Sequence, residues 1–217
     1  MANVSIPPVQ LSSASSTLFT VPGNNQLTML ELVFAAVPAG SNRAVDLHFV
    51  PPGGSAAAAN RAFRVDISSG QTAALTLFPM LPAQWTVRAA VSAGVNATVA
   101  GGAVIEIASV NRTFTGQALL STAAANIFTP SALRRVKMMQ LIAHNIDITD
   151  RSYSANYVPI AGSPSSSNQF LADVLKAGET KVFAFSPMIT SATSVFAAAS
   201  AANAISFSVA AVQVAEK

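Results

Sequence analysis

The two histidines, His48 and His144, are the first residues to consider for chemistry, because imidazole serves both as a metal ligand and as a general base. Each lies in a run of alternating apolar residues that predicts a β-strand. Neither has other donor residues at the spacing of a metal site. We therefore expect both histidines to be solvent-facing or hydrogen-bonded strand residues.

The hydroxyl and carboxylate residues also lack the patterns of known catalytic or ion-binding motifs. Serine is abundant, but no Gly-x-Ser-x-Gly sequence marks a nucleophile on a sharp turn. Asp147 and Asp150 lie three residues apart in a predicted turn, whereas calcium loops carry more oxygen ligands and a glycine at the bend. We predict no catalytic residue, no metal ligand and no cofactor site. The chain is accordingly not expected to be an enzyme, and its binding residues are not identified by sequence.

Alternation with a period of two is the main local signal, and it predicts strands rather than helices. Val45, Leu47 and Phe49 face one side of such a strand, while Asp46 and His48 face the other. The segment 56–64 is rich in alanine and could form a helix. Its counterpart near Ser163 to Ser167 is a poor helix former, so we expect a loop in both copies. The strands of the first copy are predicted near 9–13, 16–21, 27–36, 44–50, 62–67, 72–78, 84–92 and 96–108.

The same module occurs twice, over residues 9–108 and 116–215. Val50-Pro51-Pro52-Gly53-Gly54-Ser55 recurs as Val158-Pro159-Ile160-Ala161-Gly162-Ser163, which is 108 residues later (158 − 50). Repetition of turn and core residues at a fixed offset indicates one fold laid down in tandem. We predict an all-β chain with two β-sandwich domains, jelly-roll or Ig-like, over 1–109 and 110–217. In this scheme Leu32 and Leu141 are equivalent core residues, because both lie mid-strand on an apolar face.

The composition indicates a surface with few charges. Charged residues make up 10% of the chain, against about 25% in an average soluble domain, and the net charge is +3. The only cationic cluster, Arg134, Arg135 and Lys137, alternates between strand faces, so no nucleic-acid-binding stripe is predicted. The uncharged stretch 192–212 alternates like a strand, and no membrane span is predicted. With no cysteine, disulfides are excluded.

The repeated module also resembles a known class of proteins. It runs from Leu11-Ser12 through Phe19-Thr20-Val21-Pro22 and the Val50–Ser55 turn to an Ala/Ser/Val-rich pair of closing strands. In these features it is similar to small β-structured virion proteins of tailed bacteriophages, namely capsid decoration (cement) proteins and tail or neck accessory proteins. The resemblance implies an all-β fold, a structural role on a shell or tail, and no enzymatic activity. It transfers no functional residue to this chain.

We therefore expect a capsid decoration protein that is made in the host cytoplasm and incorporated into the virion. Its expected partners are the major capsid protein or other virion subunits, with no nucleic acid and no membrane. One alternative is a tail, neck or baseplate component, including a fibre-attachment module. Another is a module that binds host-surface glycans, which would need exposed aromatic rings. The candidate rings are Trp85, Tyr153 and Tyr157, and the alternation places Trp85 in the core.

The mode of attachment is predicted to be apolar. Val33 and Ile142 lie on the strand faces opposite Leu32 and Leu141, and Phe196 occupies the outward position that Arg88 has in the first copy. Edge strands also need cover, and the chain has few Lys or Glu residues to protect them. We expect a homo-oligomer, with a trimer as the first choice and a dimer-like tandem pair as the alternative.

Overall fold

The computed structural model describes residues 2–36, 43–92, 97–107, 112–187 and 189–215, with backbone only at 112–117 and 185. The chain divides into two compact units, Met1–Ser109 and Val110–Lys217. Each unit is built almost entirely of strands. No helix long and apolar enough to cross a membrane occurs in the described segments.

The first unit contains eight strands. They are β1 (Ala2–Leu11), β2 (Ser16–Thr20), β3 (Asn25–Ala36), β4 (Arg43–Val50), β5 (Arg61–Ile67), β6 (Thr72–Leu77), β7 (Thr86–Val91) and β8 (Ala97–Ile107). The second unit repeats this series. Its strands are β9 (Arg112–Leu119), β10 (Ala125–Phe128), β11 (Arg134–Asn145), β12 (Arg151–Pro159), β13 (Gln169–Leu175), β14 (Thr180–Phe185), β15 (Thr193–Ala199) and β16 (Ile205–Ala215).

The strand order identifies the type of sandwich. The first unit has two four-stranded sheets in the orders β1-β8-β3-β6 and β2-β7-β4-β5, and the second has β9-β16-β11-β14 and β10-β15-β12-β13. Adding eight to each label of the first unit gives the second, so the topology is duplicated with the sequence. Eight antiparallel strands wound in this order form a jelly roll, whereas the Ig fold splits seven strands as ABED and CFG. The prediction of two tandem β-sandwiches is confirmed, and the topology selects the jelly roll.

The core of each unit consists of the apolar side chains that its two sheets direct toward each other. Leu32 on β3 is 1% exposed and Leu141 on β11 is 0% exposed, and each pairs with the equivalent edge strand. Their neighbours two residues away, Leu30 and Met139, are buried on the same face. The predicted equivalence of Leu32 and Leu141 is therefore confirmed.

Three details differ from the sequence-based expectations or refine them. The first strand begins at Ala2 rather than near residue 9, because it continues past Pro7 and Pro8 with a register shift between Ile6 and Val9. Proline is tolerated there because β1 is the edge of its sheet. Of segment 56–64, residues 56–60 form a loop with a single 3₁₀ turn at Ala58–Asn60, as in the counterpart at Ser166–Asn168, and residues 61–64 already belong to β5. Predicted strand ends at residues 96 and 108 lie outside the described residues.

The outward apolar positions do not all behave as predicted. Val33 is 47% exposed, in agreement with its position on the outer face of β3. Ile142, the equivalent residue on β11, is only 3% exposed, so its predicted exposure is wrong. Alternation assigns a residue to a face correctly, but it does not say whether that face is open. On β11 both faces are buried along residues 139–145.

We expect Leu32→Ala and Leu141→Ala each to lower the free energy of unfolding of its own unit by about 2–5 kcal/mol, because each removes buried methyl groups and leaves a cavity. Chemical denaturation followed by fluorescence and circular dichroism measures this loss. Val33→Ala is the control, because a half-exposed side chain should change stability by about 0.5 kcal/mol or less. Unchanged midpoints for both leucine variants would contradict the assigned register.

Candidate functional site

His48 holds the loop between β4 and β5. Its Nδ1 lies 3.1 Å from the carbonyl oxygen of Ala57 and 3.1 Å from Oδ1 of Asn60. The Asn60 amide is oriented by two further bonds, since Oδ1 accepts from the Ala57 N–H and Nδ2 donates to the Ser55 carbonyl. Both atoms facing Nδ1 are therefore acceptors, and Nδ1 must carry the proton of the neutral ring. His48 is a structural hydrogen-bond donor.

In the second unit, an asparagine rather than a histidine holds the equivalent loop. Asn156 occupies the position of His48, and its Nδ2 donates to the Ser165 carbonyl at 2.8 Å and to Oδ1 of Asn168 at 3.0 Å. Asn168 in turn accepts from the Ser165 N–H and donates to the Ser163 carbonyl, as Asn60 does in its own loop. Two donors of different chemistry therefore fix equivalent loops, which is a structural function and not a catalytic one.

His144 lies elsewhere in the fold and is also hydrogen-bonded. Its ring is 0% exposed, and Nδ1 lies 2.7 Å from the Thr180 hydroxyl of the neighbouring strand. Both histidines are thus hydrogen-bonded strand residues, one of the two predicted alternatives. Across the described ranges, no three His, Cys, Asp or Glu residues are close enough together to hold a metal ion.

The Asp147–Asp150 turn is held by two ion pairs. Arg151 Nε donates to Asp147 Oδ2 at 2.7 Å, and Lys176 Nζ donates to Asp150 Oδ2 at 2.8 Å. These hydrogen bonds are the main reason that the pKa of each carboxyl group lies below its usual value. The two aspartates bond different cations, Arg151 at the start of β12 and Lys176 just after β13, rather than converging on one point as ligands of one ion would.

The three candidate aromatic rings lie in different environments. Trp85 is only partly buried and immediately precedes β7, so the prediction that it belongs to the core is wrong. Gln84 has a positive φ of 67°, which ends the alternation just before Trp85. Tyr153 is 3% exposed and packs against Phe207 in the core. Tyr157 is half-buried, and its ring lines a cavity.

Tyr157 and Phe170 form one wall of an apolar cleft in the second unit. Their rings stack with centroids 3.8 Å apart and planes inclined by 7°. Together with Leu171 and Phe183 they line a cavity of about 330 Å³. Burial raises the pKa of the Tyr157 phenol, so this group stays neutral at physiological pH. In the first unit the positions of Tyr157 and Phe170 hold Phe49 and Ala62, both 0% exposed, so the partly exposed stacked ring pair has no equivalent there.

The outer face of the sheet β10-β15-β12-β13 carries a shallow groove of about 570 Å³. We call its outward residues on β12, β13 and β15, together with the residue that follows β15, the neutral face. They are Ser152, Ser154, Ala172, Val174, Ala198 and Ser200. Val174 is 49% exposed, and the one charged residue lining the groove, Asp173, is paired with Lys181 at 2.7 Å.

The equivalent face of the first unit is charged. Asp46 and Arg64 occupy the positions of Ser154 and Ala172, and they are cross-strand partners in the same register. Asp46 Oδ1 lies 3.3 Å from Arg61 and 3.7 Å from Arg64, and Arg64 also lies 3.6 Å from Asp66. The two units therefore share the scaffold, while the second has Ser154 and Ala172 in place of the paired Asp46 and Arg64.

The neutral face and the apolar cleft are the surfaces on which the second unit departs most clearly from the first. They carry small, uncharged or aromatic side chains, which suit contact with another protein surface more than they suit proton transfer or metal binding. The alternation pattern by itself reveals only the exchange of Arg88 for Phe196. Aligning the two copies residue by residue along β12 and β13 would have revealed the remaining exchanges.

Comparisons with known proteins add a fold likeness only. No family model matches the chain, and no curated protein matches it. A chain from the atomic structure of Sulfolobus Turreted Icosahedral Virus is 9% identical with a TM-score of 0.37, and the match covers 99% of this chain and 90% of that one. The PBSX exported protein XepA is 8% identical with a TM-score of 0.33, covering 97% and 86%. The CBM22-1-CBM22-2 tandem domain of Paenibacillus barcinonensis Xyn10C is 8% identical with a TM-score of 0.31, covering 95% and 85%. At these TM-scores the likenesses carry no functional argument.

We expect His48→Asn to be tolerated, because Asn156 fills the equivalent position in the second unit. His48→Ala should instead destabilise the first unit by about 0.5–1.5 kcal/mol, since it removes the donor that faces the Ala57 carbonyl and Asn60 Oδ1. Thermal denaturation of both variants measures the difference. Equal losses in the two variants would show that the hydrogen bonds of His48 are unimportant.

The same residue predicts a dependence on pH. Burial is the main cause that lowers the pKa of His48 below its ordinary value, so the folded state favours the neutral ring. The unfolded state then binds more protons as the pH falls through about 6.5, and folding stability decreases in that direction. We expect the first unit to lose stability between about pH 7 and pH 5.5. His48→Asn should remove this loss, and an unchanged pH profile in that variant would contradict the assignment.

Proposed function

We propose that this chain is a structural protein of a virus particle, and specifically a bacteriophage capsid decoration protein. In this proposal it binds the particle through the second jelly roll. The observation that carries the proposal is the contrast between the two copies of one scaffold. The second copy presents the neutral face where the first copy has ion pairs, and it presents the stacked Tyr157 and Phe170 rings where the first copy has the fully buried Phe49 and Ala62.

This contrast supports a role in protein–protein contact. A charged face must be stripped of water before it can be covered, and unpaired charges are costly to bury. Small side chains such as Ser154 and Ala172 lose little rotamer entropy when a partner covers them. A surface of this kind suits stable binding to another folded protein, such as a subunit of an assembled shell.

The fold allows other uses, since jelly rolls also occur in lectins and in cupins. A glycan-binding role would call for an open aromatic ring face beside hydrogen-bonding groups. One face of Tyr157 is instead covered by Phe170, and three of the four cleft residues are purely apolar. The residues that line the cleft therefore favour an apolar protein contact over a sugar.

Copy number tests the location in the particle. The amount of this protein relative to the major capsid protein, measured by gel densitometry of purified particles, should correspond to hundreds of copies. A few copies or about a dozen would assign the protein to a tail, neck or baseplate and would overturn the decoration proposal. Absence from purified particles would overturn the virion assignment altogether.

We expect attachment to survive high salt, because it does not depend on charge. The Debye length falls from about 10 Å at 0.1 M salt to about 3 Å at 1 M, so a charge-driven complex would weaken sharply. Sedimentation of particles with bound protein at both salt concentrations measures this. Release of the protein at 1 M salt would contradict attachment through a neutral surface.

We also expect Ser154→Asp combined with Ala172→Arg to weaken attachment about tenfold or more, because the pair would have to be desolvated. The exchange copies the Asp46–Arg64 pair, which the same scaffold accommodates in the first unit. The matched control is Asp46→Ser with Arg64→Ala, which should leave binding unchanged. Loss of binding only in the control would assign attachment to the first unit.

A further inference from the structure

Strand β6 forms an unprotected edge of the first jelly roll. It is the terminal strand of the sheet β1-β8-β3-β6, and among the strands that the structure describes it pairs only with β3. Its sequence, Thr72-Ala73-Ala74-Leu75-Thr76-Leu77, contains no charge, proline or glycine. Natural proteins usually protect such edges with charges, prolines or bulges, because the unpaired backbone groups are a template for another strand.

The backbone groups that face outward can be identified from the pairing. The Ala36 N–H donates to the Gln71 carbonyl at 3.0 Å, so this pair is hydrogen-bonded across the ladder. Bonded and non-bonded pairs alternate in an antiparallel ladder, so Ala73, Leu75 and Leu77 bond to β3. The N–H and C=O groups of Thr72, Ala74 and Thr76 then point away from β3. These three residues are exposed, and they make no backbone bond within the described part of the chain.

The second jelly roll shows how the same edge looks when it is protected. Its equivalent strand, β14, has Lys181 at the position of Ala73, and β13 has Asp173 at the position of Val65. Lys181 Nζ lies 2.7 Å from Asp173 Oδ2 and donates to the Val174 carbonyl at 3.1 Å. A charged residue on the inner side of an edge strand opposes pairing with another chain. The first unit has neither member of this pair.

Apolar side chains extend the open edge onto the outer face. Val33, the cross-strand partner of Ala74, is 47% exposed. Phe78, which directly follows β6, is 39% exposed. The equivalent of Val33 in the second unit, Ile142, is 3% exposed. The first unit therefore combines an uncharged edge with an apolar border, and both features suit burial against a further strand.

We propose that β6 pairs with β6 of a second copy of this chain, antiparallel and about a two-fold axis through Ala74. In this register the bonded pairs are Ala74 with Ala74, and Thr72 with Thr76 of the second copy. Threonine pairs are favourable across antiparallel strands, and no like charges come to lie opposite each other. The two sheets join into one sheet of eight strands, which is within the usual range.

The two-fold arrangement follows from the chemistry of the edge. A strand that pairs antiparallel with its own copy forms an isologous contact, which closes as a dimer. This replaces the homotrimer that the sequence analysis favoured. The inference stands on the first unit and does not require the virion assignment, so either can fail without the other.

Cross-linking tests the register directly. The chain has no cysteine, so Ala74→Cys introduces a single thiol on the proposed axis. Cα atoms of a bonded antiparallel pair are about 5.5 Å apart, which suits a disulfide. Mild oxidation should yield a covalent dimer. Val182→Cys, the equivalent position on β14, is the matched control and should stay monomeric on a denaturing gel. Failure of Ala74→Cys to cross-link, or equal cross-linking of both variants, would overturn the proposal.

Multi-angle light scattering tests the oligomer itself. The wild-type chain should be a dimer, and transplanting the protecting pair as Val65→Asp with Ala73→Lys should yield a monomer. Ala74→Pro removes one outward N–H without breaking a bond to β3, and it should also yield a monomer, whereas Val182→Pro should leave the dimer intact. Circular dichroism confirms that each variant is folded. A monomeric or trimeric wild type, or a dimer that persists in both β6 variants, would overturn the proposal.

Discussion

The pairing of the third strand of each module with its last strand is the interaction on which the rest of the structure depends. β3 bonds to β8 from Asn25–Ile107 to Ala36–Ala97, and β11 bonds to β16 in the same way. Each ladder brings together segments about 70 residues apart, so the chain between them must close into a loop before these contacts form, which slows folding. Once the ladder exists, it fixes which side chains face inward and which strands are left at the edges.

Duplication under this constraint separates what the fold requires from what it leaves free. Three sets of residues recur because each has a geometric role: the buried residues around Leu32 and Leu141, the asparagines Asn60 and Asn168 that fix a loop, and the glycines in the turns between the two sheets. Gly70 and Gly178 both hold a φ of 73° in equivalent turns, a conformation that residues with a side chain rarely adopt. Positions outside this frame have diverged freely. The outer face carries charged residues in the first unit and small neutral residues in the second. The edge strand carries Ala73 in the first unit and Lys181 in the second.

The sequence was sufficient for the strands and the tandem sandwiches because alternation and turn residues are local signals. It identified Leu32 and Leu141 through the same signals. It could not choose between the jelly-roll and Ig orders, because strand order depends on long-range pairing. The bonds of His48 to the loop at Asn60, and the burial of Ile142, were out of reach for the same reason. The apolar cleft depends on Phe170 and Phe183, which come from different sheets and share no sequence pattern.

The Lys181–Asp173 pair has a consequence for how far such molecules can grow by joining edges. If β6 and β14 were both open, each chain would have one unprotected edge strand in each module. Successive chains could then add without limit and form a fibre. Because Lys181 protects β14, only β6 of these two strands is open to pairing with another chain. Growth through these two strands would then stop once two chains have joined.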